Sequence, residues 1–277
     1  MPNMLAHDHP RPFHIATEIL EATLALVLTT ACLVAFVPLL FLQEGDGVNP
    51  TALPNDPVAQ AAMDGNLPAV ERFIAAQRNL NVIGPEGFSP LMWAVVEGNA
   101  TLVNRLIAAG ADINQRNAWG QTPLILAAQW DQLEVMARLI DAGADVNATT
   151  RQGRTALMEA ARHGLADHTK ALLAAGANPN ARDRDSKTAL MAGVRAQVPP
   201  VVANLLDEGA GVDQADRTGY SALMLAAERG NLEMVELLLS HGANAALVHH
   251  DGSDAMTMAR EKGHLPVMRR LARTPLG

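Results

Sequence analysis

The sequence predicts an all-α solenoid of stacked helix-turn-helix units with β-hairpin fingers, preceded by a single N-terminal transmembrane helix. Three observations carry this. Gly87, Gly120, Gly153, Gly219 and Gly252 fall on a 33-residue interval, with Ser186 at the fourth place. Gly110-Ala111, Gly143-Ala144, Gly176-Ala177, Gly209-Ala210 and Gly242-Ala243 keep the same interval in a second register, and Asn114, Asn147, Asn180 and Asp213 keep it in a third. A fixed period of this length is the mark of a repeat array. Finally, the 21 residues from Ala22 to Leu42 contain no charge.

Composition sets the bounds within which these patterns act. The chain has 277 residues, 49% apolar and 18% charged, so it is not a disordered polyelectrolyte. The single cysteine, Cys32, excludes a disulfide framework and any zinc site built on several thiolates. A net charge of -8 leaves no broad cationic surface for a phosphate backbone, which argues against nucleic acid as a partner.

Residues 1–21 form an N-terminal tail. As a helix, the run 22–42 spans roughly 31 Å, the thickness of a bilayer core. Pro38 near its end is tolerated in such a span. Arg11 is the only basic residue before the run, and none follows until Arg72, whereas Glu44, Asp46 and Asp56 lie beyond it. The bias in basic residues places the tail in the cytoplasm and the remainder across the membrane. The competing reading is a cleaved secretory signal, but that needs a shorter apolar region and a small-residue site, for which Gly45-Asp46-Gly47 is a poor match. Residues 43–56, with Gly45, Gly47, Pro50 and Pro54, form a polar linker.

Within one unit, residues 117–149, the local physics is legible. Thr122 is placed to cap a helix whose first position is Pro123, where a missing N–H costs nothing. Leu124, Ala127 and Ala128 make a short inner helix with small residues. Leu133, Met136, Leu139 and Ile140 sit at helical spacing on a second helix, which Gly143 ends in the left-handed conformation. The stretch from Ala144 to Gly153 then turns as a hairpin into the next unit. A helix pair of this size cannot bury its apolar face alone and must stack on its neighbours.

The segments Ser89-Pro90-Leu91-Met92 and Thr122-Pro123-Leu124-Ile125, with the Gly-Ala-Asp stretches at 110 and 143, resemble ankyrin repeats. The likeness covers residues 57–277. It divides into an N-terminal cap (57–83), full repeats at 84–116, 117–149, 150–182, 183–215 and 216–248, and a C-terminal cap (249–277). Where the family usually carries a histidine after Thr-Pro-Leu, this chain has Met92, Ile125, Met158, Met191, Met224 and Thr257, a series expected to be continuous core. The fourth repeat departs most: Ser186 and Gln197 replace glycines, Gly193 replaces an alanine, and Pro199-Pro200 restarts the helix. It is expected to be the soft point of the array.

No catalytic constellation, phosphate-binding loop or hydrolase motif is present, so no enzyme activity, small-molecule substrate, cofactor or metal is expected. His163, Asp167 and His168 read as solvated. His249, His250 and Asp251, with His241 nearby, have the donor types of a weak transition-metal site, but their loop setting favours plain exposed histidines. The aromatics are more informative. Phe88, Trp119 and Tyr220 lie on the fingers, Trp130 ends a first helix that the family turns toward its concave groove, and Trp93 lies within one. With Arg154 beside them, they are the expected protein-binding residues, since Trp and Tyr supply much contact area at small entropy cost. From residue 57 onward the net charge is only -3. The resemblance therefore implies a non-catalytic interaction module, tethered to a bacterial membrane and facing the periplasm, with a protein partner. The alternatives are a secreted soluble inhibitor or immunity-type protein released by cleavage, and a metal-dependent protective protein or enzyme using the histidines.

Overall fold

The computed structural model describes residues 56–274. The N-terminal tail, the expected span at 22–42 and all but the last residue of the linker lie outside the described residues. Among those described, no helix is long and apolar enough to cross a membrane.

Fourteen α-helices follow one another in pairs. They are α1 Pro57–Met63 and α2 Leu67–Ala75; α3 Pro90–Val96 and α4 Ala100–Ala108; α5 Pro123–Gln129 and α6 Leu133–Asp141; α7 Ala156–Arg162 and α8 Ala166–Ala174. The series continues with α9 Ala189–Ala196 and α10 Pro199–Asp207; α11 Ala222–Glu228 and α12 Leu232–Ser240; α13 Ala255–Glu261 and α14 Leu265–Leu271. Each first helix packs on its own second helix and on the first helices of the adjoining units, and second helices pack on second helices.

The start of every first helix after α1 is fixed by a hydroxyl or carboxylate at the same register. Ser89, Thr122, Thr155, Thr188, Ser221 and Asp254 each accept from the backbone N–H three residues on, at 2.7–3.4 Å. Below them the core is continuous. Met92, Ile125, Met158, Met191 and Met224 are all buried, as the sequence implied, and Thr257 is half-buried at the end of the series.

Two sets of bonds tie each unit to the next. The side chains of Asn81, Asn114, Asn147, Asn180 and Asp213 accept from the backbone N–H groups of Asp112, Asp145, Asn178, Gly211 and Asn244, each 31 residues further on, at 2.7–2.9 Å. This is the physical basis of the asparagine register. The fingers form a second ladder: the backbone N–H of Ala118, Arg151, Arg184, Arg217 and His250 donates to the carbonyls of Glu86, Trp119, Gln152, Asp185 and Thr218 at 2.9–3.1 Å. The ladder requires close approach, and a Cβ on Gly87 would lie 2.6 Å from the Ala118 nitrogen. At Gly110, by contrast, the space is open and only the positive φ of 88° demands glycine.

Three expectations are corrected. The fingers are tight turns closed by two backbone bonds, such as Thr150 N–H to the Arg154 carbonyl at 2.8 Å and Gly153 N–H to the Thr150 carbonyl at 2.9 Å; isolated bridges occur at Thr149–Thr155, Ala215–Ser221 and Val248–Asp254, and no strand occurs among the described residues. Leu133 is 38% exposed, because it opens α6 at the rim, and Val135 takes the inward position with Met136 and Leu139. His168 is only 3% exposed: α8 turns it inward toward Asp131, whose carboxylate lies 3.7 Å from Nε2.

Repeat four holds two non-glycine residues in the left-handed region, Ser186 at φ 63° and Gln197 at φ 60°. Gly193 has a packing cause, since a Cβ there would meet Val201 at 3.0 Å and Val202 at 3.3 Å.

Asn147 accepts from the Asn178 amide at 2.8 Å and donates to the Gly176 carbonyl at 3.2 Å. Asn147→Ala is expected to lower unfolding free energy by about 1 kcal/mol in urea titration. Hydrogen exchange is expected to find residues 183–215 less protected than the repeats on either side, and Gln197→Gly to stabilise the domain by about 1 kcal/mol. Burial lowers the His168 pKa from 6.5, with Asp131 and Asp167 opposing. The folded state thus binds this proton less readily than the unfolded state, so the contribution is intact above 6.5 and declines as pH falls below it. His168→Leu is expected to flatten part of the loss in urea midpoint between about pH 7 and pH 5.

Candidate protein-binding face

The finger ends and first helices form one face, and its side chains are set by register. The last finger residue of successive repeats is Phe88, Gln121, Arg154, Lys187, Tyr220 and Ser253. Eight residues on, at the end of the first helix, stand Val96, Gln129, Arg162, Arg195, Glu228 and Glu261. Gln121 donates to Gln129 at 2.7 Å, and the Tyr220 hydroxyl donates to Glu228 at 2.7 Å. Burial and the Glu228 carboxylate hold that hydroxyl protonated well above the ordinary phenol range.

The six expected contact residues are distributed unevenly. Phe88 is fully buried and Trp93 is 9% exposed. Their rings lie 4.7 Å apart, and Trp119 meets Phe88 edge-on at 6.2 Å. This cluster joins the first and second repeats, and its geometry is that of packed aromatics. Phe88 and Trp93 are therefore core, a correction to their reading as contact residues: Phe88 closes the finger over the first helix, and Trp93 lines the side of α3 that meets it. Trp119 and Trp130 are half-buried and keep some exposed surface. Trp130 caps α5 and, among the described residues, has no ring partner and a buried Nε1 without a hydrogen-bond acceptor. Tyr220 stands three repeats away, edge-on to His249 at 5.4 Å.

Arg154 is half-buried, with Nε 3.5 Å from Glu159 Oε1. Glu159, 2% exposed, also accepts from Arg162 at 2.8 and 3.0 Å. Sequence reasoning missed this buried carboxylate. Its only linear signal is its place between two arginines of matching register. Burial raises the pKa values of Glu86 and Glu97, the two glutamates of the first repeat.

The histidines do not converge. His249 Nδ1 lies 3.0 Å from Asp251 Oδ1 and its ring stacks on His250, whereas His241 Nδ1 is 2.9 Å from the Leu237 carbonyl on its own helix. The Ser253 amide, then His249, holds the Asp251 pKa down to about 2. Among the described residues no three His, Cys, Asp or Glu side chains stand where they would hold a metal.

Trp119→Ala combined with Trp130→Ala is expected to abolish partner capture at a temperature where the circular dichroism spectrum is still that of the folded parent. Phe88→Ala is expected to act by a different route, lowering stability by about 3–5 kcal/mol in denaturant titration.

The family model described as "Ankyrin repeats (3 copies)" matches residues 28–117, 96–183 and 190–275. A search of curated protein sequences returns no significant match. Among solved structures, the chain is similar to the ankyrin repeat domain of Bcl-3, a member of the IkappaB protein family, with 29% identity and a TM-score of 0.70 over 78% of this chain and 99% of that one. It is also similar to the human ASB11 ankyrin repeat domain, with 26% identity and a TM-score of 0.70 over 80% of this chain and all of that one. Helix pairs, finger ladder and sequence model agree: the chain belongs to the ankyrin repeat family.

Proposed function

We propose that this protein is a non-catalytic scaffold that holds a protein partner against its finger-and-first-helix face. We further propose that one span at 22–42 carries it, with the tail in the cytoplasm and the repeat domain on the periplasmic side of a bacterial membrane. Ankyrin repeats indicate a protein–protein interaction scaffold. The observation that supports the rest of the binding reading is a contrast between two registers of the same repeat. Beneath the face the side chains stay alike, with methionine in four repeats and isoleucine in the fifth, all buried. On the face they change at every step, from Gln121 to Arg154 to Lys187 to Tyr220. Folding needs the constant set, and with it the buried Phe88 and Gln121 of the changing register; its more exposed members, Arg154, Lys187 and Tyr220, are where specificity for a partner belongs.

The membrane placement rests on the length and neutrality of the 22–42 run and on Arg11 before it. An alkaline phosphatase fused to the C-terminus is expected to be active, and the mature chain to retain the mass of all 277 residues. An inactive fusion, retained in the cytoplasm, overturns the topology, and loss of residues 1–42 from the mature chain supports the secreted, soluble form instead. Photo-crosslinkers at Trp119 and Trp130 are expected to capture a protein in intact cells, whereas capture only from the second helices overturns the choice of face.

A further inference from the structure

Between finger and first helix, the polar positions are joined in repeats two, three and five. Gln121 bonds Gln129, and Tyr220 bonds Glu228. In repeat three both positions are cations, Arg154 and Arg162, and the carboxylate of Glu159 lies between them. Repeat four again has two cations, Lys187 and Arg195, but the residue at the register of Glu159 is Ala192. That register is filled elsewhere by Trp93, Leu126, Leu225 and Met258, all buried; Ala192 is the smallest side chain in it and is only half-buried. Repeat four thus keeps the two positive arms of the third-repeat arrangement and lacks its negative centre.

No carboxylate of α9 supplies the missing charge; Lys187 acts instead on the finger carboxylates Asp185 and Asp216. Arg195 makes no ion pair and no side-chain hydrogen bond among the described residues. Lys187 Nζ lies 3.3 Å from Asp185 Oδ2, an exposed pair of the kind that contributes little and exchanges readily. Asp183 accepts from the amides of Asp185 and Lys187 at 2.9 and 2.8 Å, Asp216 from those of Thr218 and Tyr220, and Glu228 from the Tyr220 hydroxyl. The exposed finger arginines Arg151, Arg184 and Arg217, one per repeat, extend the positive strip alongside.

We propose that repeat four receives an aspartate or glutamate side chain from an acidic segment of the partner protein, seated over Ala192 between Lys187 and Arg195 as Glu159 sits between Arg154 and Arg162. The inference rests on the scaffold reading and names the chemistry of the partner's central contact. A carboxylate bonded by two cations gains charge-assisted, geometrically specific hydrogen bonds. The strip along the fingers steers an acidic segment into place.

The test uses the purified full chain in detergent and a fluorescein-labelled oligoglutamate of about ten residues, followed by anisotropy. Saturable binding is expected, weakening steeply with salt. Ala192→Glu supplies the bridging carboxylate from within the chain and is expected to weaken the peptide about tenfold without lowering the melting midpoint. Arg195→Ala is expected to weaken it by a similar factor, and Arg269→Ala, on the exposed last helix, to leave it unchanged. Equal affinity of the parent and the Ala192→Glu variant overturns the proposal. So does a preference for a phosphoserine peptide or for anionic vesicles over oligoglutamate. If crosslinkers at Trp119 and Trp130 still capture a protein while Ala192→Glu has no effect on either binding, the carboxylate inference falls alone. If those positions capture nothing, the scaffold reading falls with it.

Discussion

One side-chain oxygen reaching one backbone amide 31 residues further on, repeated five times, sets the spacing of the whole domain. A pair of helices seven to nine residues long buries too little by itself to persist. The Asn and Asp side chains fix where the next pair lies, and the finger ladder fixes its rotation. With both set, the small first helices close on one another and the methionine series becomes continuous. The proposed binding face is a by-product of the same constraint, since identical spacing brings the finger ends and helix ends of every repeat into one row.

The periodic parts of this architecture were legible in the sequence because periodicity survives without coordinates. The cap at Thr122, left-handed closure at Gly143 and the core role of Met158 each follow from residue type at a repeated position. Other parts were not legible, for definite physical reasons. The asparagine register showed as a pattern without a cause, because its acceptor geometry joins residues a whole unit apart. His168 looked solvated beside Asp167 and His163, yet helix phase turns it inward while its neighbours face out. Leu133 and Val135 differ by two positions, and helical spacing alone did not decide which of them faces the core.

The aromatic residues show the same limit from the functional side. Phe88 and Trp119 stand two register positions apart, on either side of the finger glycine, but only Trp119 retains surface, since Phe88 packs on the Trp93 ring. Type and register nominate a residue; the neighbouring side chain decides whether a partner can reach it. Charge behaves alike. In the third repeat Glu159 offsets one of the two positive charges of Arg154 and Arg162, whereas the counterpart one step along has no carboxylate at that register. Adjacent units of nearly identical backbone therefore present different electrostatic demands to whatever lies across them.

The two classes of glycine bear on how far a defect spreads. At Gly110 a side chain meets only its own backbone preference, so the injury stays inside one unit and its neighbours keep their alignment. At Gly87 a side chain pushes directly on the amide of the adjoining finger, and relief there displaces the rung that the following unit relies on. Inherited changes at the first class erode stability piecemeal, whereas those at the second uncouple the array, separating it into segments that melt independently.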